Sequence, residues 1–143
     1  MLDFPADLKS CIHGKTFMIH GGYEFDGRPI SDINKDEIEQ CARDIMDCNL
    51  KNIVISGIFS PVNPQQEKNA AAIIRQIYPR CSITLSHTIG HISILERENA
   101  AILNESLKPL SYHTICAFRK TLSDLNLQCP LYLTQNDGTL IRY

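Results

Sequence analysis

The sequence predicts an α/β fold in which a mostly parallel sheet is flanked by helices. Short apolar segments rich in β-branched residues alternate along the chain with longer segments whose apolar residues recur at helical spacing. Uninterrupted apolar segments of this kind are typical of strands buried on both faces of a parallel sheet. The alternation of the two kinds of segment is typical of βαβ units.

A turn is the clearest signal before the first long helix. Residues 16–25 have an extended pattern that Gly21-Gly22 interrupts. Asp26-Gly27 follows, a dipeptide that favours a tight reversal of the chain. The segment is therefore predicted to form a hairpin or two short strands.

The first strongly marked helix begins after Asn34. Asn34 and Glu37 have the spacing of a capping box, a pair whose side chains bond the free backbone amides of a helix start. Acidic residues crowd the first turn, where they complement the helix dipole. The predicted buried stripe at helical spacing consists of Ile38, Cys41, Ala42, Ile45 and Met46.

A strand, a helix and a second strand follow and make up a βαβ unit. The strands are predicted over residues 52–58 and 82–86, both rich in β-branched residues. Asn63 is predicted to cap the helix between them, with Pro64 at its first position, where proline is favoured. Pro79 ends this helix. Its apolar face is expected to consist of Ala70, Ile73, Ile74 and Ile77.

Two more helices and a third strand are predicted in the C-terminal half. Ser93 and Glu96 form a second capping box, which starts a helix that Pro109 is expected to break or bend. A further helix is expected over residues 110–125, and a third buried strand over residues 131–134. The inward face of that further helix is expected to consist of Ile115, Phe118, Leu122 and Leu125.

Composition and charge exclude several classes of partner. The chain has 143 residues and a net charge of −2, with its basic residues scattered, so it lacks the basic surface that nucleic-acid binding needs. No apolar segment approaches the roughly 20 residues that span a bilayer, and no secretory signal is recognised. Residues 1–15, which have no clear period, are expected to be poorly ordered, and residues 16–143 to form a single α/β domain.

Six cysteines are present and none forms a C-x-x-C pair, which argues against a zinc ribbon or a redox dithiol. Most of them lie among apolar residues in predicted helices and strands. They are therefore expected to be buried or half-buried free thiols. This usage predicts a cytoplasmic protein, because thiols stay reduced there.

Three loops are expected at the carboxyl ends of the predicted strands, where open parallel sheets bind their ligands. They cover residues 60–63, 86–91 and 135–138, and all three are richer in polar and turn residues than the strands. The site, if these strands share a sheet, is expected among these loops.

The last loop, Gln135-Asn136-Asp137-Gly138, is the most suggestive candidate for chemistry. Its amide and carboxylate groups could hold a phosphate, a substrate amide or a metal-bound water, and Gly138 permits a close backbone approach. The same residues are also typical of an ordinary turn that leads into a terminal strand over residues 139–143. Local chemistry leaves both interpretations open.

Local patterns predict no metal site, nucleophile or phosphate loop. His87 and His91 are four residues apart, a spacing that zinc sites on helices use, but Gly90 lies between them and no third ligand is recognised. No serine or cysteine has a nucleophile context such as G-x-S-x-G. Neither a Walker loop nor a G-x-G-x-x-G motif occurs.

Several short motifs follow one another in a distinctive order between residues 23 and 139. After the Asp26-Gly27 turn come F-S-P-V-N-P-Q-Q-E at 59–67, L-S at 85–86, L-E-R at 95–97, Asn104, and P-L-Y-L-T-Q-N-D-G at 130–138. This order resembles the hydantoinase A/oxoprolinase family, which includes N-methylhydantoinase, 5-oxoprolinase and acetone-carboxylase-type subunits. Its members typically show H-S-Y-x-N-P-x-H-E, L-S, Y-E-R, an Asn-containing helix and Q-S-N-G-G.

The resemblance implies an actin/hexokinase-like ATPase architecture and the ATP-dependent opening of cyclic amides. Phosphorylation of the ring carbonyl oxygen would supply a leaving group to a poor electrophile, so ATP and Mg²⁺ are implied for the full-length family. Carried over onto matching positions, the resemblance implies site-region roles for Gln135, Asn136 and Gly138. It implies supporting roles for Asn63, Glu96, Arg97 and Asn104.

Some positions depart from the family pattern. Gln66 stands where the family has a histidine, Asp137 where it has an asparagine, and Thr139 where it has a second glycine. The added carboxylate of Asp137 would repel a phosphate. Residues 21–26 are superficially similar to the family's phosphate loop, G-G-T-F-T-D. That match is rejected, because the loop lies well over a hundred residues before the Asn-Pro motif in the family.

Two functions from different classes are therefore expected. The first is a portion of an ATP-dependent cyclic amide hydrolase that is inactive in isolation, with the remainder of the polypeptide or a second subunit as its partner. This portion by itself is expected to hold neither ATP nor Mg²⁺. The second is a non-catalytic α/β binding or assembly module, for which self-association is an option. A stand-alone hydrolase using the 135–138 loop lacks a recognisable nucleophile or base.

Overall fold

The computed structural model describes residues 4–12, 14–135 and 138–142 of the chain. Its described part is a mixed α/β structure with helices and a short parallel sheet. The elements are α1 (Ala6–Cys11), α2 (Lys35–Asp47), β1 (Asn52–Ile55), α3 (Gln65–Ile77), β2 (Ser82–Leu85), α4 (Ile94–Asp124), β3 (Tyr132–Thr134) and β4 (Leu140–Arg142). A 3-10 turn, Ser86–Thr88, directly follows β2.

The predicted βαβ unit is confirmed. Strands β1 and β2 pair in parallel, with Asn52 opposite Ser82 and Ile55 opposite Leu85. Helix α3 connects them, one residue later than predicted, since it begins at Gln65 rather than Pro64. Both strands are shorter than predicted, because the chain leaves the sheet after Ile55 and Leu85 to form loops.

The core lies where α2 and α3 pack together over β1. The predicted stripe of α2 is largely confirmed, because Ile38, Ala42 and Ile45 are buried, although Met46 is exposed. Small residues of α3 allow the two helices to approach closely. The buried core cluster consists of Ile38, Ala42, Ile45, Ile53, Ala70 and Ile74.

The predicted cap of α2 is confirmed in part. The Asn34 side chain accepts hydrogen bonds from the backbone amides of Asp36 (3.0 Å) and Glu37 (3.4 Å). Among the described residues, the Glu37 carboxylate does not return a hydrogen bond to the backbone amide of Asn34. Instead, the Glu37 carboxylate accepts from the backbone amide of His20 (3.0 Å) and ties the upstream segment to the helix.

Asn34→Ala is expected to lower the free energy of unfolding by about 1 kcal/mol, the usual cost of losing an N-cap. The two backbone amides that Asn34 serves would lose their acceptor. Urea unfolding followed by circular dichroism measures the change. Asn34→Asp keeps the acceptor and is the matched control. Equal stabilities of the alanine variant and the wild type would contradict this role.

The predicted break at Pro109 is wrong, and the alternative of a bend stays a prediction. Helix α4 runs without interruption from Ile94 to Asp124 and contains Pro109. A proline removes one hydrogen bond from a helix and costs about 3 kcal/mol, but the bonds on either side of it can persist. The predicted inward face is also wrong in part, because Phe118 and Leu125 are exposed, whereas Ile115 is buried.

The predicted third strand does not join the parallel sheet. β3 pairs antiparallel with β4, with Tyr132 opposite Arg142 and Thr134 opposite Leu140. The loop between β3 and β4 is too short for a parallel crossover, which needs a dozen or more residues. The two strands therefore pair antiparallel as a hairpin. The two strands are largely exposed rather than buried.

The chain divides into two compact units, Met1–Ser106 and Leu107–Tyr143. The first contains the parallel sheet, and the second contains the β3–β4 hairpin. In the first unit, α1 has no buried residue. The single domain predicted over residues 16–143 and the poor order predicted for residues 1–15 stay predictions.

The segment before α2 forms no regular strands, but an antiparallel bridge between Tyr23 and Pro29 closes a minimal hairpin, so the hairpin alternative is confirmed and the two short strands are not. The predicted turn is confirmed. The backbone amide of Glu24 donates to the carbonyl of Arg28 (2.8 Å), and Gly27 has a φ of 85°, a conformation that glycine adopts without strain.

All six cysteines are free thiols, as predicted. Their predicted burial is wrong for most of them, since only Cys41 and Cys81 are half-buried. The remaining four lie on helix surfaces or in loops: Cys11, Cys48, Cys116 and Cys129. No helix in the described part of the chain is both long enough and apolar enough to cross a membrane.

Candidate functional site

A polar cluster is buried at the carboxyl ends of β1 and β2. It comprises the side chains of Ser60, Glu67, Ser86, His87 and Arg97, which gather around the backbone of Gly57. Glu67 is 2% exposed and Arg97 1% exposed. Charged side chains are almost never this buried unless they are paired, so the arrangement is a specific one.

The polar cluster draws its five members from four segments of the βαβ unit and the helix after it. Ser60 lies in the loop after β1, and Glu67 in the first turn of α3. Ser86 and His87 form the 3-10 turn at the end of β2. Arg97 lies in the first turn of α4. They meet because the carboxyl ends of parallel strands share one edge of the sheet.

Glu67 is the centre of the polar cluster. Its Oε1 accepts hydrogen bonds from the backbone amide of Gly57 (2.9 Å) and the hydroxyl of Ser86 (2.6 Å). Its Oε2 accepts from the backbone amide of His87 (3.2 Å) and contacts His87 Nδ1 at 2.6 Å. Both carboxylate oxygens are therefore fully engaged, which ties the ends of both strands to α3.

The polar cluster keeps Glu67 ionised despite its burial. Burial by itself raises the pKa of the carboxyl, but hydrogen bonds from Ser86, Ser60 and His87 outweigh it and hold the pKa below its ordinary value. Hydrogen bonds to a charged acceptor are stronger than those between neutral groups. Glu67 therefore carries a negative charge inside the protein.

Arg97 supplies the matching positive charge. Its Nε donates to Ser86 Oγ (2.9 Å), and its Nη2 donates to the carbonyl of Gly57 (2.5 Å). Its Nη1 donates to the carbonyls of His91 (2.8 Å) and Ile92 (2.9 Å). Burial lowers the pKa of Arg97 and the charge of Glu67 raises it. The hydroxyl of Ser86 bridges the two charges.

Most N–H groups of the Arg97 guanidinium donate hydrogen bonds within the protein. It has five N–H groups, and hydrogen bonds to four acceptors commit most of them. The charges of Arg97 and Glu67 also balance. The polar cluster is therefore suited to fixing the strand ends and the start of α4 rather than to binding an anion.

A second buried carboxylate anchors α4 to the sheet. Glu105 accepts hydrogen bonds from Asn52 Nδ2 (2.9 Å) on β1 and from Thr84 Oγ1 (2.5 Å) on β2. Glu105 lies two turns after Arg97 on the same helix. The contact holds α4 against both strands and so positions Arg97 in the polar cluster.

Gln66, the residue beside Glu67, fastens the loop that precedes α2. Its Oε1 accepts from the backbone amide of Gly22 (2.5 Å), and its Nε2 donates to the carbonyl of Ser31 (2.8 Å). The next amide, that of Tyr23, donates to the carbonyl of Ile58 (3.2 Å). These amides are engaged inside the protein, whereas a phosphate loop presents its amides to the ligand.

Of the residues that the resemblance singled out, Arg97 joins the polar cluster. Asn63 lies two residues before α3, and its Oδ1 accepts from the backbone amide of Gln65 (3.2 Å), so it serves the first helical residue although Pro64 occupies the cap position. Glu96 is exposed and its carboxylate accepts from the Ser93 hydroxyl, a contact between side chains, so the two side chain–backbone bonds of the predicted capping box stay a prediction. Asn104 is exposed on α4.

The loop of Gln135 and Gly138 connects the strands of the hairpin. The backbone amide of Gly138 donates to the carbonyl of Gln135 (3.0 Å), and that of Gln135 donates to the carbonyl of Thr139 (2.8 Å). Gly138 has a φ of 84°, as a tight turn requires. This geometry is that of the turn interpretation. Asn136 and Asp137 lie outside the described residues, and the catalytic role of the loop stays a prediction.

Glu67 was not among the predicted site residues, and Ser86 and His87 were predicted only as part of the loop over residues 86–91. Glu67 has an unremarkable position in a first helical turn, where acidic residues are common. As a possible metal ligand, His87 was paired only with His91, whose side chain is exposed. A usable signal was present, since all three residues follow directly on a strand end or open the next helix. Among the described residues, no group of three side chains could hold a metal ion.

The comparisons with known proteins define the family. The family model of the hydantoinase/oxoprolinase N-terminal region matches residues 6–78, which is more than half of the chain. The chain therefore belongs to the hydantoinase/oxoprolinase family, as the order of motifs predicted. The matched segment includes Ser60 and Glu67 of the polar cluster.

The alignment with a curated relative is longer than the family match. An uncharacterized protein of Methanocaldococcus jannaschii is 27% identical to this chain over 113 residues. The match covers 78% of this chain but only 17% of the relative. The chain thus spans about a sixth of the length of that relative.

Proposed function

We propose that the chain is part of the N-terminal region of an ATP-dependent cyclic amide hydrolase and is inactive in isolation. The observation that carries the proposal is the convergence of family motif residues, Ser60, Glu67, Ser86 and Arg97, in one buried cluster. These residues come from separate segments and meet at the edge of the sheet where α/β proteins bind ligands. Membership of the family supplies the reaction class.

The reaction needs activation because the carbonyl carbon of a cyclic amide is a poor electrophile. ATP with Mg²⁺ would supply a phosphoryl group that turns the carbonyl oxygen into a leaving group. The described residues do not fit the nucleotide. The guanidinium of Arg97 is engaged within the protein, and the backbone amide of Gly22 is bonded to Gln66. Among the described residues there is also no group of side chains that could hold Mg²⁺. The nucleotide would bind to the remainder of the polypeptide or to another subunit.

The contribution of this chain would be to shape one side of the substrate site. The polar cluster fixes the strand ends, and His87 lies at its outer edge with a 13% exposed side chain. The βαβ unit supports an actin/hexokinase-like architecture as part of the proposal. Free thiols support a cytoplasmic location, and the net charge of −2 supports the absence of a nucleic-acid partner. No membrane partner is proposed.

The proposal is tested by measuring ATP hydrolysis that depends on 5-oxoproline or a hydantoin. We expect no activity from the 143-residue chain alone and ring opening with release of ADP from the chain joined to its natural flanking sequence or subunit. The chain alone is the matched control. A folded full-length protein that neither hydrolyses ATP nor opens these rings would refute the proposal.

A non-catalytic binding or assembly module, with self-association, is the alternative. It is favoured by exposed apolar side chains in the loops beside the polar cluster, namely Phe25, Ile30, Ile58 and Val62. Exposed apolar side chains mark a contact surface when they are contiguous, and Ile30 and Ile58 both lie against Gly22. The intact mass of the native protein separates the two proposals, because a 16.2 kDa chain favours the module and a much larger chain favours the hydrolase.

A further inference from the structure

We infer that His87 is the proton acceptor of this site and that Glu67 holds it in the tautomer that carries the proton on Nδ1. The ligand would be a neutral hydrogen-bond donor, either water or the N–H of a ring amide. The assignment of the ligand as water or a ring amide rests on the proposed function. The state of the imidazole rests on the geometry alone.

Glu67 determines which nitrogen of His87 carries the proton. Nδ1 lies 2.6 Å from Glu67 Oε2, and the backbone amide of His87 donates to the same oxygen at 3.2 Å. An ionised carboxylate can only accept hydrogen bonds, so Nδ1 must be the donor. A neutral imidazole has one N–H, and Nε2 is therefore left with a free lone pair.

Nε2 faces outward from the polar cluster. Among the described residues it has no recorded hydrogen-bond partner, and it is not one of their buried unpartnered polar atoms. The side chain as a whole is 13% exposed, compared with 2% for Glu67. The imidazole is thus buried at the end that Glu67 fixes and open at the end that can accept a proton.

The charges around His87 select a neutral ligand. The charged groups of the polar cluster are Glu67, which faces Nδ1, and Arg97, whose N–H groups are committed to Ser86 and backbone carbonyls. A phosphate or carboxylate approaching Nε2 would meet a lone pair and gain no free guanidinium. Water or an amide N–H would instead donate a hydrogen bond to Nε2.

The proton transfer is balanced within the site. The bond between the donor atom and its hydrogen breaks, a bond to Nε2 forms, and the electron pair stays on the donor atom. The resulting imidazolium has Glu67 at 2.6 Å, where opposite charges stabilise one another. Glu67 is thus a positioning residue, and His87 is the residue that would contact the ligand.

The tautomer is tested without any activity measurement. Long-range proton–nitrogen NMR spectra of the chain labelled with ¹⁵N-histidine report which ring nitrogen bears the proton. The spectrum of His87→Asn, which lacks one of the five histidine signals, assigns the resonance. We expect the proton on Nδ1 at a pH where the ring is neutral. A proton on Nε2, or an even mixture, would overturn the inference.

The proton-accepting role is tested in the full-length hydrolase. His87→Asn keeps an amide N–H that can donate to Glu67 but removes the basic nitrogen. We expect it to lower kcat about 10²- to 10⁴-fold, the usual contribution of a positioned base, with little change in KM or unfolding midpoint. His91→Asn, at an exposed histidine four residues along, is the matched control and should keep full kcat.

The outcomes separate this inference from the proposed function. A His87→Asn variant that retains kcat within about twofold would overturn the role of His87, since a structural contact alone would survive in it. A full-length protein that opens no cyclic amide would refute the proposed function. In that case the NMR result still decides whether His87 is the poised proton acceptor of the site.

Discussion

Glu67→Gln is expected to lower the free energy of unfolding by about 3 kcal/mol, although the two side chains have the same shape. Whichever way the amide is turned, its NH₂ group faces a backbone N–H that can only donate, that of Gly57 at one oxygen position or that of His87 at the other. The charge of Arg97 also loses its counterpart. Urea unfolding of the two proteins at neutral pH measures the difference.

The same variant has a defined dependence on pH. The pKa of Glu67 is lowered in the folded protein, so its stabilising effect is fully present above the ordinary carboxyl value of about 4.3 and is lost as the pH falls through the folded value. The gap between wild type and Glu67→Gln should therefore narrow in acid. Glu24→Gln, at an exposed position, is the control and should leave stability unchanged. A loss below about 1 kcal/mol at neutral pH would contradict the central role of Glu67.

Arg97→Met is expected to cost about 3 to 5 kcal/mol, the range for removing one partner from a buried charged network. Methionine fills much of the space but leaves the carbonyls of Gly57, His91 and Ile92 without their donor. Arg97→Lys should be intermediate, because an ammonium group cannot reproduce the planar fork of the guanidinium. Unfolding in urea measures all three proteins.

Controls make the result for Arg97 specific. Arg80→Met, at an exposed arginine, should be nearly neutral. The double variant Glu67→Gln/Arg97→Met should lose less stability than the two single variants together, since both residues bond the same Ser86 hydroxyl. Strictly additive losses would show that the two residues act independently and would contradict a single cluster.

The elements that could be predicted from the sequence are those with complete local signals. Helix α2 combines a cap at Asn34, confirmed in part, with an apolar stripe that is largely confirmed, although Met46 is exposed. The βαβ unit was predictable because its strands are apolar and β-branched, and because Asn63 and Pro79 bracket the helix between them. In each case the residues that determine the element lie within it or directly beside it.

The elements that were predicted wrongly depend on partners that local sequence does not specify. The residues of β3 have the pattern of a buried strand, yet they pair with β4, which the turn at Gly138 brings alongside. A proline usually ends or kinks a helix, but α4 continues through Pro109. Local propensity therefore determined neither the partner of β3 nor the continuation of α4 past the proline.

The candidate site was predicted only in part for the same reason. Arg97 was identified through the resemblance, and nothing in its local sequence distinguishes it from its exposed neighbour Glu96. Glu67 has a local pattern that suits a solvated helix start. Its burial arises because Gly57, Ser86 and His87 converge on it after folding, which pairs residues up to 20 positions apart.

Gln66 makes the attachment of the Gly22–Ser31 loop insensitive to acidity. Its amide has a permanent acceptor for Gly22 and a permanent donor for Ser31. The histidine of the family pattern could serve both partners only while neutral, because protonation near pH 6.5 would convert its acceptor into a second donor. A histidine at position 66 would therefore lose the Gly22 amide on protonation, whereas the Gln66 amide does not titrate and keeps both hydrogen bonds.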